Sequence, residues 1–224
     1  IDVIKWVGSV EAVDPVDLHK IFPGHNYHTY FAHVRYATRG RKDQLLLDAH
    51  PHTIGGTRQI HPTHVIIRDC EIAGVHNGQV NDEYLAGIDK SALQTGCDTE
   101  ALLHYFQHYG ETGLLKSIPG AYTLAIADKR RKDVLVIRDR TGLRPGVLGW
   151  KDGKYCVASE GLAIINNGGK IIEYLDPGAV YYLSPSGDYE RKQIVEPRHA
   201  ACFFEWNYIA HEDAVLDGRH VARI

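Results

Sequence analysis

The chain has no methionine among its 224 residues and opens Ile-Asp-Val-Ile. Translation starts elsewhere, so a further segment is expected upstream of Ile1. No apolar run approaches the roughly 20 residues that a membrane-spanning helix requires, and no membrane partner is expected. The four cysteines, Cys70, Cys97, Cys156 and Cys202, form no C-x-x-C pair, and a chain of this size needs no disulfide framework. Free thiols and a cytoplasmic location are expected. Blocks of one charge are equally scarce: the net charge is −3 and the densest basic cluster is Lys129-Arg130-Arg131-Lys132, which reads as a solvated turn and argues against a nucleic-acid groove. Repeats, low-complexity tracts and linkers are missing too, so residues 1–224 are expected to form a single domain. What is present, 44% hydrophobic and 24% charged residues, is the makeup of a globular protein with one sizeable core.

Residues 2–10 alternate as a strand does, and Asp14-Pro15 opens a short helix through Leu18 and Ile21, a capping residue followed by a proline whose φ is already helical. The YFAHVRY stretch, 30–36, predicts a strand ending in the turn Ala37-Thr38-Arg39-Gly40. A loop is expected over 42–56 and a strand over 64–68. The run IAGVHNGQVND, 72–82, halts at His76-Asn77-Gly78, and Asn-Gly is the commonest hairpin-turn pair. A helix capped by Asn81 is predicted over NDEYLAGIDK. A second starts at Asp98 or Thr99, where Ala101, Leu102, Tyr105, Phe106 and Tyr109 recur at helical spacing until Gly110. From Gly120 strand follows strand, at 121–127, 134–138, 147–150, 155–158, 179–183 and 191–195. Connections this short cannot hold parallel crossovers, so an α+β chain with antiparallel sheets is expected.

Three polar stations stand at the ends of these elements: Arg35 with Thr38, Asn77 with Gly78, and Asp98. A guanidinium clamps a carboxylate bidentately, an aspartate holds an ammonium group, and an amide side chain beside a glycine N–H can stabilise an anionic carbonyl oxygen. An amino acid with a side-chain amide presents all three groups.

In order along the chain stand AHVRYATRG (32–40), GVHNG (74–78), CDTE (97–100), IPGAYTLAIAD (118–128), RDRTGLRPGVLG (138–149), YCVASEG (155–161), LDPGAVYYL (175–183) and CFFEWNYIAHEDAVLDG (202–218). With these motifs the chain resembles the class II, N-terminal-nucleophile glutamine amidotransferases, most closely the amidophosphoribosyltransferase and glutamate-synthase-like branch. The resemblance implies an Ntn-hydrolase four-layer αββα sandwich with two antiparallel sheets. It also implies roles: Arg35 and Thr38 for the glutamine carboxylate, Asp98 for its amino group, and Asn77 with Gly78 for the oxyanion hole. The implied activity is hydrolysis of glutamine to glutamate, with ammonia passed to an acceptor synthase domain or subunit in an oligomer or multi-subunit complex. No cofactor or metal is implied. RDRTGLRPG reads as a structural turn.

The family's nucleophile is a cysteine at the mature N-terminus whose own amino group serves as base. This chain begins with isoleucine, and none of its four cysteines can take that place, so the nucleophile is expected upstream. Two other readings follow from the residues. One is a glutamine-binding or scaffolding module without chemistry. The other is a metal-binding loop, because His50, His52, His61 and His64 form H-x-H and H-x-x-H pairs; a solvated loop or lid is the plainer expectation for that stretch.

Overall fold

A sheet covered on both faces needs strands that are apolar at consecutive positions, and the middle of this chain supplies them. A computed structural model of the protein describes residues 1–23, 27–35, 45–85 and 87–223. In chain order the elements are β1 (Val3–Trp6), α1 (Pro15–Ile21), α2 (Leu45–Asp48), β2 (His52–Ile54), β3 (Thr57–Ile60), β4 (His64–Arg68), β5 (Ile72–Gln79), α3 (Asp98–Ser117), β6 (Ala121–Asp128), β7 (Val134–Arg138), β8 (Val147–Lys151), β9 (Lys154–Ala158), α4 (Gly161–Asn166), β10 (Lys170–Tyr174), β11 (Ala179–Leu183) and β12 (Tyr189–Gln193), followed by the two-residue strands β13 (Val215–Leu216) and β14 (Arg219–His220).

Six strands in the order β12-β11-β7-β6-β5-β2, all antiparallel, make the central sheet. Its strands alternate between two cores. Leu124, Ile126, Leu135, Ile137 and Val180 turn towards α3 and pack with Leu102, Leu103, Phe106 and Leu114. Val136, Ala179 and Tyr181 turn the opposite way, onto Leu148 and Leu175, with Tyr155 and Val157 of β9 packed alongside. The second core is shared with the sheet β10-β8-β9. The outer face of that sheet carries α4, where Ile164 lies so close to Gly149 that a Cβ there would meet it at 2.7 Å. The succession helix, sheet, sheet, helix is the expected αββα order. A third sheet, β1-β4-β3, adds to the inner layer, with Val3, Val65 and Ile67 packed beside Ala73 of β5.

Residues 27–35 are not assigned to a strand, so the strand predicted over 30–36 does not form in its described part. His28–Phe31 border a cavity of ≈ 510 Å³ towards β9 and another of ≈ 400 Å³ towards β1.

Other departures have local causes. The helix predicted over NDEYLAGIDK is two 3₁₀ turns, Asp82–Leu85 and Lys90–Ala92. Gly87 falls between them, and glycine is a poor helix former. Beyond Gly110, which sits at φ 68°, helical turns resume to Ser117, so α3 is kinked there and not ended. The short helix after Asp14 forms as predicted, with the Asp14 carboxylate accepting from the Val16 N–H at 2.7 Å.

Candidate functional site

The HNG stretch is strand, not turn. β5 stays paired with β6 through Asn77↔Thr123, Gly78↔Tyr122 and Gln79↔Ala121. Only glycine fits at 78: its φ is +150°, and a Cβ would stand 2.0 Å from the Ala121 carbonyl oxygen. The ladder also decides where its N–H points. Tyr122 spends both backbone groups on Asp139, donating to Oδ1 at 3.1 Å and accepting from the Asp139 N–H at 3.0 Å. In an antiparallel pair the bonding direction alternates residue by residue, so the Gly78 N–H faces away from β6. The same edge carries the His76 N–H, 3.4 Å from His50 Nδ1, and the Val80 N–H, which donates to Asp98 Oδ2 at 2.8 Å.

Asp98 opens α3, where a carboxylate is favoured by the positive helix end. Its Oδ1 lies 3.7 Å from His76 Nδ1 and accepts a weak contact from the Cys97 thiol at 3.6 Å. Burial alone would raise this carboxyl, but His76, the Val80 N–H and Cys97 outweigh it and hold Asp98 below the usual carboxylate range. Asn77, one residue from Gly78, projects through the sheet to the opposite face. Its Nδ2 stands 3.4 Å from Ser159 Oγ, and it lines the ≈ 510 Å³ cavity with Thr123 and His33.

Arg35 lines a separate cavity of ≈ 220 Å³ with Lys5, His33 and His50. Its charge acts on His33, His50, His52 and Cys97. The structure therefore joins Asp98 to the end of β5 beside Gly78, while Arg35 and Asn77 open on two cavities that share His33 as a wall. Thr38 lies outside the described residues.

Several neighbours escaped the sequence reading. Thr99, fully buried, places Oγ1 3.1 Å from both His76 Nδ1 and His50 Nε2. Glu100, 2% exposed, accepts from the N–H groups of Gln94 and Thr95 and from Thr95 Oγ1, tying the preceding loop to α3. The signal for both was present in CDTE, where two polar residues follow the helix-opening aspartate at positions that a short amphipathic stripe would bury.

The H-x-H and H-x-x-H pairs separate in space. His61 and His64 stack at 4.4 Å at the turn between β3 and β4. His50 and His52 are buried, His52 at 1% exposure, so this part of 42–56 is not a solvated lid. RDRTGLRPG is structural: Arg138, 1% exposed, bonds the carbonyls of Gly142, Arg144 and Leu175 and the Asp217 carboxylate.

A helix-sheet-sheet-helix frame built on antiparallel sheets is the architecture of the Ntn-hydrolase glutamine amidotransferase domains. Residues 68–194 match the family described as a glutamine amidotransferase domain, and the chain belongs to the class II glutamine amidotransferase domains. An amidophosphoribosyltransferase of Archaeoglobus fulgidus is 30% identical over 200 residues, covering 83% of this chain and 40% of that protein. A glutamine–fructose-6-phosphate aminotransferase of Methanothermobacter thermautotrophicus is 30% identical over 168 residues, 68% of this chain and 25% of that protein. The solved glutamine phosphoribosylpyrophosphate amidotransferase of B. subtilis, complexed with ADP and GMP, superposes with a TM-score of 0.66 at 25% identity, over 84% of this chain and 40% of that one. The chain thus spans two fifths or less of the length of these relatives. Among the described residues no helix is long and apolar enough to cross a membrane.

Proposed function

We propose that this domain hydrolyses the side-chain amide of glutamine and delivers the ammonia to an acceptor site in another part of a longer protein or in a partner subunit. The observation that carries the reading is the Gly78 N–H, turned away from β6 on the edge that also bonds Asp98. In this reading Asp98 holds the substrate ammonium group, Arg35 with Thr38 holds its carboxylate, and the Gly78 N–H with the Asn77 amide receives the oxyanion.

The nucleophile is a cysteine thiolate at a mature N-terminus preceding Ile1. It attacks the amide carbon to give a tetrahedral oxyanion. The C–N bond then breaks, with a proton delivered to the departing nitrogen, leaving ammonia and a γ-glutamyl thioester. Water cleaves the thioester to glutamate and regenerates the thiol. The acceptor follows from the remainder of the protein; the names of the relatives point to a sugar-phosphate amination, and a glutamate-synthase-like partner is the other candidate.

The test uses protein with its natural N-terminus. Glutamate release from glutamine and labelling of an N-terminal cysteine by a glutamine-like diazoketone are expected. Asn77→Ala should lower turnover by about 10²-fold to 10³-fold, the cost of one lost oxyanion donor. A natural N-terminus without cysteine overturns the reading and leaves a glutamine-binding module; turnover unaffected by Asn77→Ala overturns the oxyanion role of Asn77.

A further inference from the structure

We propose that His50, His52 and Cys97 form a binding site for a transition-metal ion of the zinc type, which clamps β2 to the start of α3. The site needs neither glutamine nor an N-terminal nucleophile. One ligand atom from each residue lies within 4.8 Å of the others, and all three residues are at most 9% exposed.

The chain builds this set from two distant stretches. His50 and His52, two residues apart, lie with ring centroids 5.0 Å from each other. Cys97 then arrives from the residue before α3. His50 Nε2 stands 3.8 Å from Cys97 Sγ. Around a tetrahedral zinc ion, with bonds of about 2.0–2.1 Å to nitrogen and about 2.3 Å to sulfur, that separation is roughly 3.6 Å, close to the distance found for this pair.

A second observation points to a ligand. His52 Nε2 is buried and has no hydrogen-bond partner. His33 Nδ1 is also buried and unpartnered, with its ring centroid 4.1 Å from that of His50, and the fourth position is left to it or to water.

Two imidazoles and a thiolate suit zinc and exclude magnesium or calcium, which take oxygen donors.

The probe is Co²⁺, added to chelator-treated protein that carries no histidine tag. One equivalent should give the visible bands of a tetrahedral ion and a near-ultraviolet thiolate charge-transfer band, both displaced by Zn²⁺. Cys97→Ser should abolish the charge-transfer band. His52→Gln should weaken binding by about 10-fold or more, since even outer-shell losses cost that much. The double variant His61→Ala, His64→Ala should bind as the unaltered chain does. Absence of the thiolate band in the unaltered folded chain, or its survival in Cys97→Ser, overturns the proposal. Because the first readout is made on the unaltered chain, a variant that misfolds cannot shelter it.

Discussion

At the scale of single residues, Gly78 has the tightest surroundings of the described glycines. Its φ of +150° and the Ala121 carbonyl 2.0 Å from any Cβ leave no room for a side chain. Gly78→Ala must distort β5 or β6, and overpacking of this kind costs about 1–3 kcal/mol, occasionally more. Gly87→Ala is the matched control, because nothing lies within 4 Å of its Cβ and its φ is not positive; a change within about 0.5 kcal/mol is expected. Urea denaturation of the two variants measures the difference, and equal midpoints would contradict the strand geometry. Asn77 differs in kind. Its side chain meets a cavity and Ser159, so its replacement should be felt in turnover and hardly in folding.

At the scale of elements, the start of α3 organises the site. Cys97 supplies no side-chain cap, and the loop before it is held instead by Glu100, whose carboxylate receives the Gln94 N–H at 2.9 Å and the Thr95 N–H at 2.7 Å. Hydrogen bonds to a charged group are worth about 1.5–3 kcal/mol. Glu100→Ala should therefore destabilise the chain by about 3 kcal/mol, seen as a lower denaturant midpoint with an unchanged slope. The variant would also free the loop that leads to Cys97 and Asp98, so Co²⁺ affinity and glutamine affinity should fall together. Loss of one without the other would mean that the loop does not position both.

At the scale of the whole molecule, Asp2 joins three distant stretches. Its carboxylate accepts from Tyr27 Oη at 2.5 Å, Arg68 Nη1 at 3.0 Å and the Asp69 N–H at 2.9 Å. Burial opposes ionisation, but Tyr27, the Asp69 N–H and Arg68 outweigh it and hold the carboxyl below its ordinary value. A carboxyl depressed in the folded state stabilises fully above its unfolded pKa, and that contribution is lost as the pH falls through the folded pKa. Stability should thus decline on the acid side of about pH 4. Asp2→Asn should be less stable at neutral pH by about 1 kcal/mol and show a flatter acid limb, which thermal melts across the range would measure.

Much of this was written in local pattern. Consecutive apolar positions in VLVIR required a strand covered on both faces, the Asp-Pro pair required the start of α1, and short turns after Gly120 required antiparallel pairing. The types and order of Arg35, Asn77, Gly78 and Asp98 suggested the kind of ligand that the proposed function assigns to them. Pattern alone could not tell the Asn-Gly of β5 from a turn, because the difference lies in whether β6 continues alongside it. Nor could alternation in 30–36 show that its described part stays outside the sheets, beside two cavities. The pairing of His50 and His52 with Cys97, 45 residues on, was equally illegible, since spacing in sequence suggested His61 and His64 as companions. Local chemistry determined which groups this chain offers; only tertiary structure, by bringing separate backbones to one edge of β5 and closing them from water, decided which of those groups meet.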